Sequence, residues 1–389
     1  MKIGIVLSKP PSYSETFFNS KINGLIEYGY DVALYVREHT EDYATCKVYN
    51  APRVFKNPIL QAFRTGFVVL SLVFYLKRIL KFIRLETSSG RRITDTLKNC
   101  YKNAHLLKAK VDWLHFGFAT LAIGSEHIAK SIDAKMAISC RGYDMDVYPL
   151  KHKNCYLDVF KNVDKVHAIS ANMLKKAFEH GLNPLTPNAI IYPAIDTKGF
   201  RDFTISAFKL SPPIQITTIA RLHWIKGLDY TLEALQLLKQ KGVKFNYTII
   251  GEGSEYESLR YALHELDLEN EVSFLGKLSH ETTLEHLKNT DIYLQYSHTE
   301  GFCNAVLEAQ AMGCLCVVSD GGGLPENIID NTTGFLVKKR DANALAESIF
   351  RVLSMDELDL SQIKKAARTR VLKDFTIDNQ IQTFINFYE

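Results

Sequence analysis

Short apolar runs alternate with helical patterns along the whole chain, and this alternation limits the fold more than any other feature. In the first half, Lys2–Ser8, Asp31–Val36, Trp113–Phe116, Met136–Cys140, Lys165–Ser170 and Ala189–Tyr192 read as strands. Helical patterns at 16–28, about 119–131 and 171–180 fall between them. The second half repeats the scheme, with strand candidates Ile214–Ala220, Phe245–Ile250, Val272–Leu275, Ile292–Tyr296, Leu315–Ser319 and Gly334–Val337. Helices are predicted there near 229–241, 254–267, 281–288, 303–312 and 342–353. Strand–helix–strand alternation of this kind builds parallel sheets covered by helices on both faces. Such sheets take ligands at the carboxyl ends of their strands. The expectation is therefore an α/β protein of two Rossmann-like, doubly wound domains facing a central cleft. The first would span residues 1–200 and the second 201–376, with a polar linker from about Asp196 and Ser211-Pro-Pro213 marking the boundary. Two more helices are predicted near 361–373 and 377–388, the last of them free to pack back on the first domain.

The 389 residues are enough for two ordinary domains, and 46% apolar with 23% charged residues is a globular composition. Met1-Lys2 runs directly into the first strand, so no secretory signal is expected. Seven scattered cysteines without a CxxC pair suit reduced thiols in a cytoplasmic protein, not a metal site. Charge is uneven. Residues 1–200 hold 28 Lys and Arg against 17 Asp and Glu, a balance of +11, and the remainder holds 19 against 26, a balance of −7. A basic first half calls for an anionic partner, either a membrane surface or a phosphorylated acceptor. Nucleic acid is not expected, since no recognition module is present. The loop after the first strand, Lys9–Glu15, is not GxGxxG, which leaves a nicotinamide or flavin site unsupported.

One stretch breaks the alternation. Thr65–Leu76 carries no charge, follows Arg64, and precedes Lys77, Arg78, Lys81 and Arg84. Twelve residues are too few to span a bilayer as a helix. Two readings fit: a helix lying in a membrane interface with a cationic end, or a core helix of the first domain whose basic end is solvated.

Two motifs carry chemistry. In the first, Glu300 and Glu308 stand eight residues apart around a predicted helix start, with Gly301 at the turn and Gly313 at the stop. Free N–H groups at that helix front favour an anion, so one element offers amides to a diphosphate and a carboxylate to sugar hydroxyls. An amphipathic helix with solvated glutamates fits the same spacing. In the second, a strand ends at Arg221, Lys226 follows, and Gly227 turns the chain into a helix. Arg grips two oxygens and Lys adds a compact charge, which suits a diphosphate leaving group.

The runs ARLHWIKGLDYTLEAL, IIGEGSEYESL, EGFCNAVLEAQAMG and SDGGGLPENI, in this order from about 214 to 340, resemble the retaining glycosyltransferases of the GT-B fold grouped as glycosyltransferase family 4. PSYSETF, HFG at 115–117, RGYDMDVYP at 141–149 and VHAIS at 166–170 extend the resemblance to the branch that builds bacterial surface polysaccharides. The resemblance implies that Glu308 holds the ribose of a nucleotide-diphosphate sugar and that Glu300 lies near the donor sugar and the reacting centre. Backbone amides around Gly301, Phe302 and Asn304 would meet the sugar or the diphosphate, and Arg221 and Lys226 would bind the phosphates. Gly251 and Gly253 would bring backbone close to the base, and Gly321-Gly-Gly323 would form a flexible loop on the cleft. It further implies transfer with retention, no metal and no bound cofactor, to a glycan or lipid-linked acceptor. The place would be the cytoplasm, with peripheral contact at the cytoplasmic face of the inner membrane.

The first domain would then hold the acceptor, with Ser14, Glu15, His115, Arg141 and Asp144 as acceptor or cleft candidates. Relatives place a histidine before Gly-Tyr-Asp, whereas this chain has Cys140-Arg141, so a histidine base is not expected there. Asp144-Met-Asp146 forms a DxD of the kind that binds Mn²⁺ in an unrelated fold, but the surrounding strand pattern does not match that fold. An epimerase or phosphorylase of the same fold, or an inactive glycan- or nucleotide-binding protein, are the alternatives. Retention of both glutamates and both cations weighs against a decayed site.

Overall fold

A computed structural model describes residues 1–11, 16–38, 43–201 and 210–389. The chain divides into two compact units: Met1–Ile169 with Met173–Ile191 and Gln380–Glu389, and Ser170–Asn172 with Tyr192–Asn379. The division thus falls at Tyr192 instead of after residue 200.

The first unit is built on a parallel sheet of seven strands: β1 (Lys2–Leu7), β2 (Asp31–Val36), β3 (Lys47–Asn50), β4 (Trp113–Phe116), β5 (Lys135–Cys140), β6 (Lys165–Ala168) and β7 (Asn188–Ile190). Their order is β3-β2-β1-β4-β5-β6-β7, so the direction of winding reverses between β1 and β4. Sequence reading missed β3: its KVYN is short, and a half-exposed edge strand needs no apolar run. The helix expected over 119–131 is two short turns, Ala119–Ala122 and Ile128–Ser131. Gly124, at φ +79°, makes the break, and its N–H donates to Glu126 Oε1 at 2.9 Å.

The second unit carries six parallel strands: β8 (Ile214–Ile219), β9 (Phe245–Ile250), β10 (Val272–Phe274), β11 (Ile292–Gln295), β12 (Leu315–Ser319) and β13 (Phe335–Val337). Their order is β10-β9-β8-β11-β12-β13, with the reversal between β8 and β11. Its core joins Ile216, Ile249, Leu294 and Val317 of the sheet to Leu232, Leu235 and Leu238 of the Leu228–Gln240 helix. Each such side chain, fully buried, stabilises by about 1.5–3 kcal/mol. The central strands β11 and β12 are buried throughout, as both faces of a covered parallel sheet require.

The uncharged stretch forms part of a helical run from Pro58 to Leu72, continued by a tight turn at Val73–Tyr75 and a second helix, Leu76–Ser88. Asn57 caps it by accepting from the N–H groups of Ile59 and Leu60. The whole run is long and apolar enough to cross a bilayer, so length does not exclude a span as the twelve-residue reading had it. Packing argues otherwise. Val68 and Leu72 are buried in the unit, Lys108 Nζ donates to Ser71 Oγ at 2.7 Å, and Arg78 donates to Ala109 O at 2.6 Å. The opposite face is bare: Phe63 is 78% exposed and Phe74 92%. This is not a core helix.

The last helix, Ile377–Tyr388, ends in the first unit's core. Trp113 Nε1 donates to Tyr388 O, and Phe387 is buried against Trp113 and His115. A proton chain runs inward from Tyr388. His167 Nε2 must donate to Ile191 O, so its Nδ1 accepts from Ser139 Oγ at 2.8 Å. Ser139 accepts from His115 Nε2 at 2.9 Å, and His115 Nδ1 accepts from Tyr388 at 2.6 Å. Burial, aided by Lys21, holds His115 well below the ordinary imidazole range, and burial does the same to His167. Lys21, also buried, is itself held well below its usual value.

Phe387→Ala is expected to cost about 3–5 kcal/mol and Tyr388→Phe about 1 kcal/mol, read from urea unfolding. Both imidazoles are neutral when folded but bind protons below about pH 6.5 when unfolded, so they withdraw stability as pH falls through that value. His115→Asn should therefore lose less stability than the parent between pH 7 and 5. An equal loss would contradict the buried neutral chain.

Candidate functional site

In an open parallel sheet the ligand crevice lies beyond the carboxyl ends of the strands where winding reverses. In the second unit those strands are β8 and β11. Beyond β8 the chain passes through Arg221 into a tight turn, Trp224–Lys226, and then Gly227. Gly227 stands at φ +59°, and a Cβ there would lie 2.3 Å from Tyr296 O. Only glycine permits both this conformation and the contact. His298 N donates to Ile225 O at 2.8 Å, which stitches the loop after β11 to the loop after β8.

That stitching brings Lys226 to Glu300. The Lys226 ammonium pairs with Glu300 Oε1, and Ser297 Oγ donates to the same oxygen at 2.9 Å. Gln295 Nε2 approaches it at 3.4 Å and also donates to Ser297 Oγ. The two charged side chains are only 13% and 14% exposed, so their attraction is less screened than that of a surface pair. Arg221 is exposed on the same loop and, among the described residues, forms no ion pair.

The glycines expected to approach a base or to form a flexible loop lie in close backbone contacts. A Cβ on Gly251 would stand 1.9 Å from Ala220 O, and one on Gly253 would stand 2.1 Å from Leu222 O. These two residues press the loop after β9 onto the backbone that carries Arg221. Leu222 N donates to Glu252 O across the same seam. Gly321-Gly-Gly323 is not a free loop either. Gly323 N donates to Glu300 O at 2.7 Å, and Glu300 bridges Gly322 in parallel fashion. The triple glycine is the surface on which the Glu300 backbone rests.

Gly301 and Phe302 lead into the Asn304–Ala311 helix. Phe302 is buried, with its ring 5.3 Å from Tyr192 and 5.6 Å from Phe375, so only its backbone is available to a ligand. Asn327 clamps Cys303 at the helix start: its Oδ1 accepts from Cys303 N, and its Nδ2 donates to Cys303 O. Glu308 sits one turn into the helix. Its Oε1 meets His280 Nε2 at 3.0 Å, and the carboxylate raises the His280 pKa. The two glutamates therefore have different partners: Glu300 a lysine and two neutral donors, Glu308 an imidazole.

In the first unit, Ser14 and Glu15 lie outside the described residues. His115 and Asp144, offered as acceptor candidates, are both fully enclosed. His115 belongs to the buried proton chain. Asp144 accepts from Ala119 N and from Thr120 Oγ1 at 2.8 Å, and burial pushes its carboxyl up to about 6. Its partner in the DxD, Asp146, pairs with Lys176. Arg141 follows β5 and reaches back to the reversal at β1 and β4. Its Nε donates to Gly117 O, and its guanidinium lies 4.1 Å from the Phe17 ring centroid and 4.8 Å from that of Phe18. Among the described residues no group of three or more His, Cys, Asp or Glu is disposed to hold a metal.

Sequence reasoning missed Gln295, Ser297 and His280. Gln295 and Ser297 had a signal: two polar residues, two apart, at the end of an apolar strand share one face. His280 had none, because it reaches Glu308 only through the tertiary fold. Gly251→Ala should destabilise the second unit by about 1–3 kcal/mol and weaken nucleoside diphosphate binding, checked by urea unfolding and calorimetric titration. Unchanged values would show that the seam does not position the Arg221 loop.

Comparison with known proteins adds four findings. Residues 202–370 match the family model for glycosyl transferases group 1. The chain is 29% identical to the amylovoran biosynthesis glycosyltransferase AmsK of Erwinia amylovora, over 96% of both chains. It is also 29% identical to the N,N'-diacetylbacillosaminyl-diphospho-undecaprenol alpha-1,3-N-acetylgalactosaminyltransferase of Campylobacter jejuni, over 88% of this chain and 85% of that one. Among solved structures, Anabaena Alr3699/HepE in complex with UDP and glucose superposes with a TM-score of 0.70 at 16% identity, covering 100% of this chain and 99% of that one. That likeness fixes the fold as the two-domain GT-B architecture.

Proposed function

We propose that this glycosyltransferase, which carries a glycosyl transferases group 1 region over residues 202–370, moves a sugar from a nucleotide-diphosphate donor to a glycan or lipid-linked glycan. The product would enter a bacterial surface polysaccharide. The reading rests on the Lys226–Glu300 pair at the β8–β11 reversal, beside the front of the Asn304–Ala311 helix. Two relatives support the acceptor class, one named for amylovoran and one for an undecaprenol diphosphate-linked sugar. The neighbour solved with UDP and glucose supports the donor class.

In the proposed reaction the bond between the anomeric carbon and the diphosphate oxygen breaks. The acceptor hydroxyl oxygen bonds to that carbon on the same face, and its proton passes to the departing diphosphate. The anomeric configuration is kept, and the sugar is oxocarbenium-like between the two events. Lys226, Arg221 and the helix-front amides of Gly301, Phe302 and Asn304 stabilise the charge growing on the diphosphate. Before donor arrives, Lys226 is neutralised by Glu300; the diphosphate replaces that partner and frees the carboxylate to face the sugar. Glu308 accepts from the ribose hydroxyls. No metal is called for, because two cations and a helix front supply the positive charge. The enzyme works in the cytoplasm at the inner membrane, with the bare face of the 58–76 run against lipid.

Radiolabelled transfer from a panel of UDP- and GDP-sugars tests the reading. Lys226→Ala and Glu300→Ala should each lower the rate by about a hundredfold or more, chelator should leave it unchanged, and the product should keep the donor's configuration. Near-parental rates in both variants would sink the site assignment. Turnover of donor without acceptor would favour an epimerase.

A further inference from the structure

The first unit contains a second polar site that the transfer reaction does not use. A cavity of about 560 Å³ opens beside the Pro58–Leu72 helix. Its wall includes the first residues of β1, β2 and β3, namely Lys2, Asp31 and Lys47. It also includes Tyr49 and Asn50, so it runs along the edge strand β3 from end to end, and it takes in none of the described residues that follow β1 or β4, where substrates of such sheets bind.

Its lining is cationic and its hydrogen bonding is incomplete. Arg64, Lys108 and Lys110 line it, and Asp31 is its one acidic residue. Lys108 is held below its usual pKa, first by burial and then by the Arg64 charge. Arg64 Nε is buried without a partner. His105 lines the same cavity, is 8% exposed and has the Lys102 backbone as a partner; burial and then the Arg37 charge push its imidazole down to about 3. A buried donor left unpaired is costly. Crowded cations and an open donor around one cavity call for an oxyanion.

The surroundings narrow the source of that anion. Arg64 and Ser71 lie on the inner side of the helix, and its outer side is bare and apolar: Phe63 is 78% exposed, Leu70 70% and Phe74 92%. From Tyr43 to Leu85 the chain has eight Lys and Arg and no Asp or Glu. An apolar face on a cationic segment suits an anionic bilayer, which attracts each cation near its surface.

We propose that this cavity binds the phosphate of an anionic phospholipid headgroup while the outer face of the Pro58–Leu72 helix and Phe74 enter the acyl boundary. The inference rests on the membrane-surface reading of this helix and is independent of the donor-site reading. Arg64 and Lys108 hold the phosphate oxygens. The headgroup fixes the unit on the membrane by a specific contact, beyond the general attraction of basic residues.

The test is vesicle co-sedimentation of the full chain with phosphatidylglycerol–phosphatidylcholine or pure phosphatidylcholine vesicles. The parent should bind the anionic vesicles. The Arg64→Gln/Lys108→Gln variant should bind at least about tenfold more weakly. A variant with two exposed cations removed at the far end, Lys77→Gln/Arg84→Gln, should lose clearly less, which separates a pocket from bulk charge. Circular dichroism and UDP binding, unchanged in the pocket variant, serve as the folding control. Equal losses in the two double variants would overturn the pocket while leaving membrane binding intact. No binding by the parent would overturn both the pocket and the membrane reading. If soluble glycerol phosphate protects the parent against thermal unfolding and vesicles do not bind, the ligand is a free phosphate and the lipid assignment fails.

Discussion

The ion pair between Lys226 and Glu300 is the contact around which the second unit's loops are arranged. It forms because two strand ends, β8 and β11, are neighbours in the sheet although 72 residues of chain separate Ile219 from Ile292. Four backbone approaches hold it there: Gly227 on Tyr296, His298 on Ile225, Gly322 on Glu300 and Gly323 on Gly301. Ser297 and Gln295 fix the carboxylate oxygen from below. A buried pair that also accepts neutral donors is stiff, and stiffness is what an electrostatic site needs. The glycines thus act on the chemistry indirectly, by setting where two charged side chains stand.

The first unit shows a contrasting use of polar residues. His115, His167, Ser139 and Tyr388 form a chain with every proton accounted for, and it seals the last helix against the sheet. HFG reads like a site motif, yet the imidazole serves packing. Asp144 likewise anchors the backbone at 119–120. Arg141, stacked on phenylalanine rings at the β1–β4 reversal, is the member of that group closest to a strand switch point.

What was legible in the sequence follows from this division. Strands with buried apolar residues announce themselves, so twelve of the thirteen were visible; the edge strand Lys47–Asn50, with no buried residue and two charged or polar ends, was not. Lys226 and Glu300 were visible as residues, but not as a pair, because pairing depends on strand order. The backbone contacts of Gly251, Gly253 and the triple glycine were not legible: glycine records close approach without saying to what. The Thr65–Leu76 run was seen, but its exposure depends on what packs beside it, and no local pattern carries that.

The central claim is that Lys226 exchanges Glu300 for a diphosphate. Calorimetric titration with the nucleoside diphosphate that stabilises the protein, comparing Lys226→Gln with Glu300→Gln, tests it most directly. The account predicts opposite signs. Loss of the lysine should weaken binding by about ten- to a hundredfold, and loss of the glutamate charge should tighten it, since the competing partner is gone. Equal weakening in both variants would contradict the exchange.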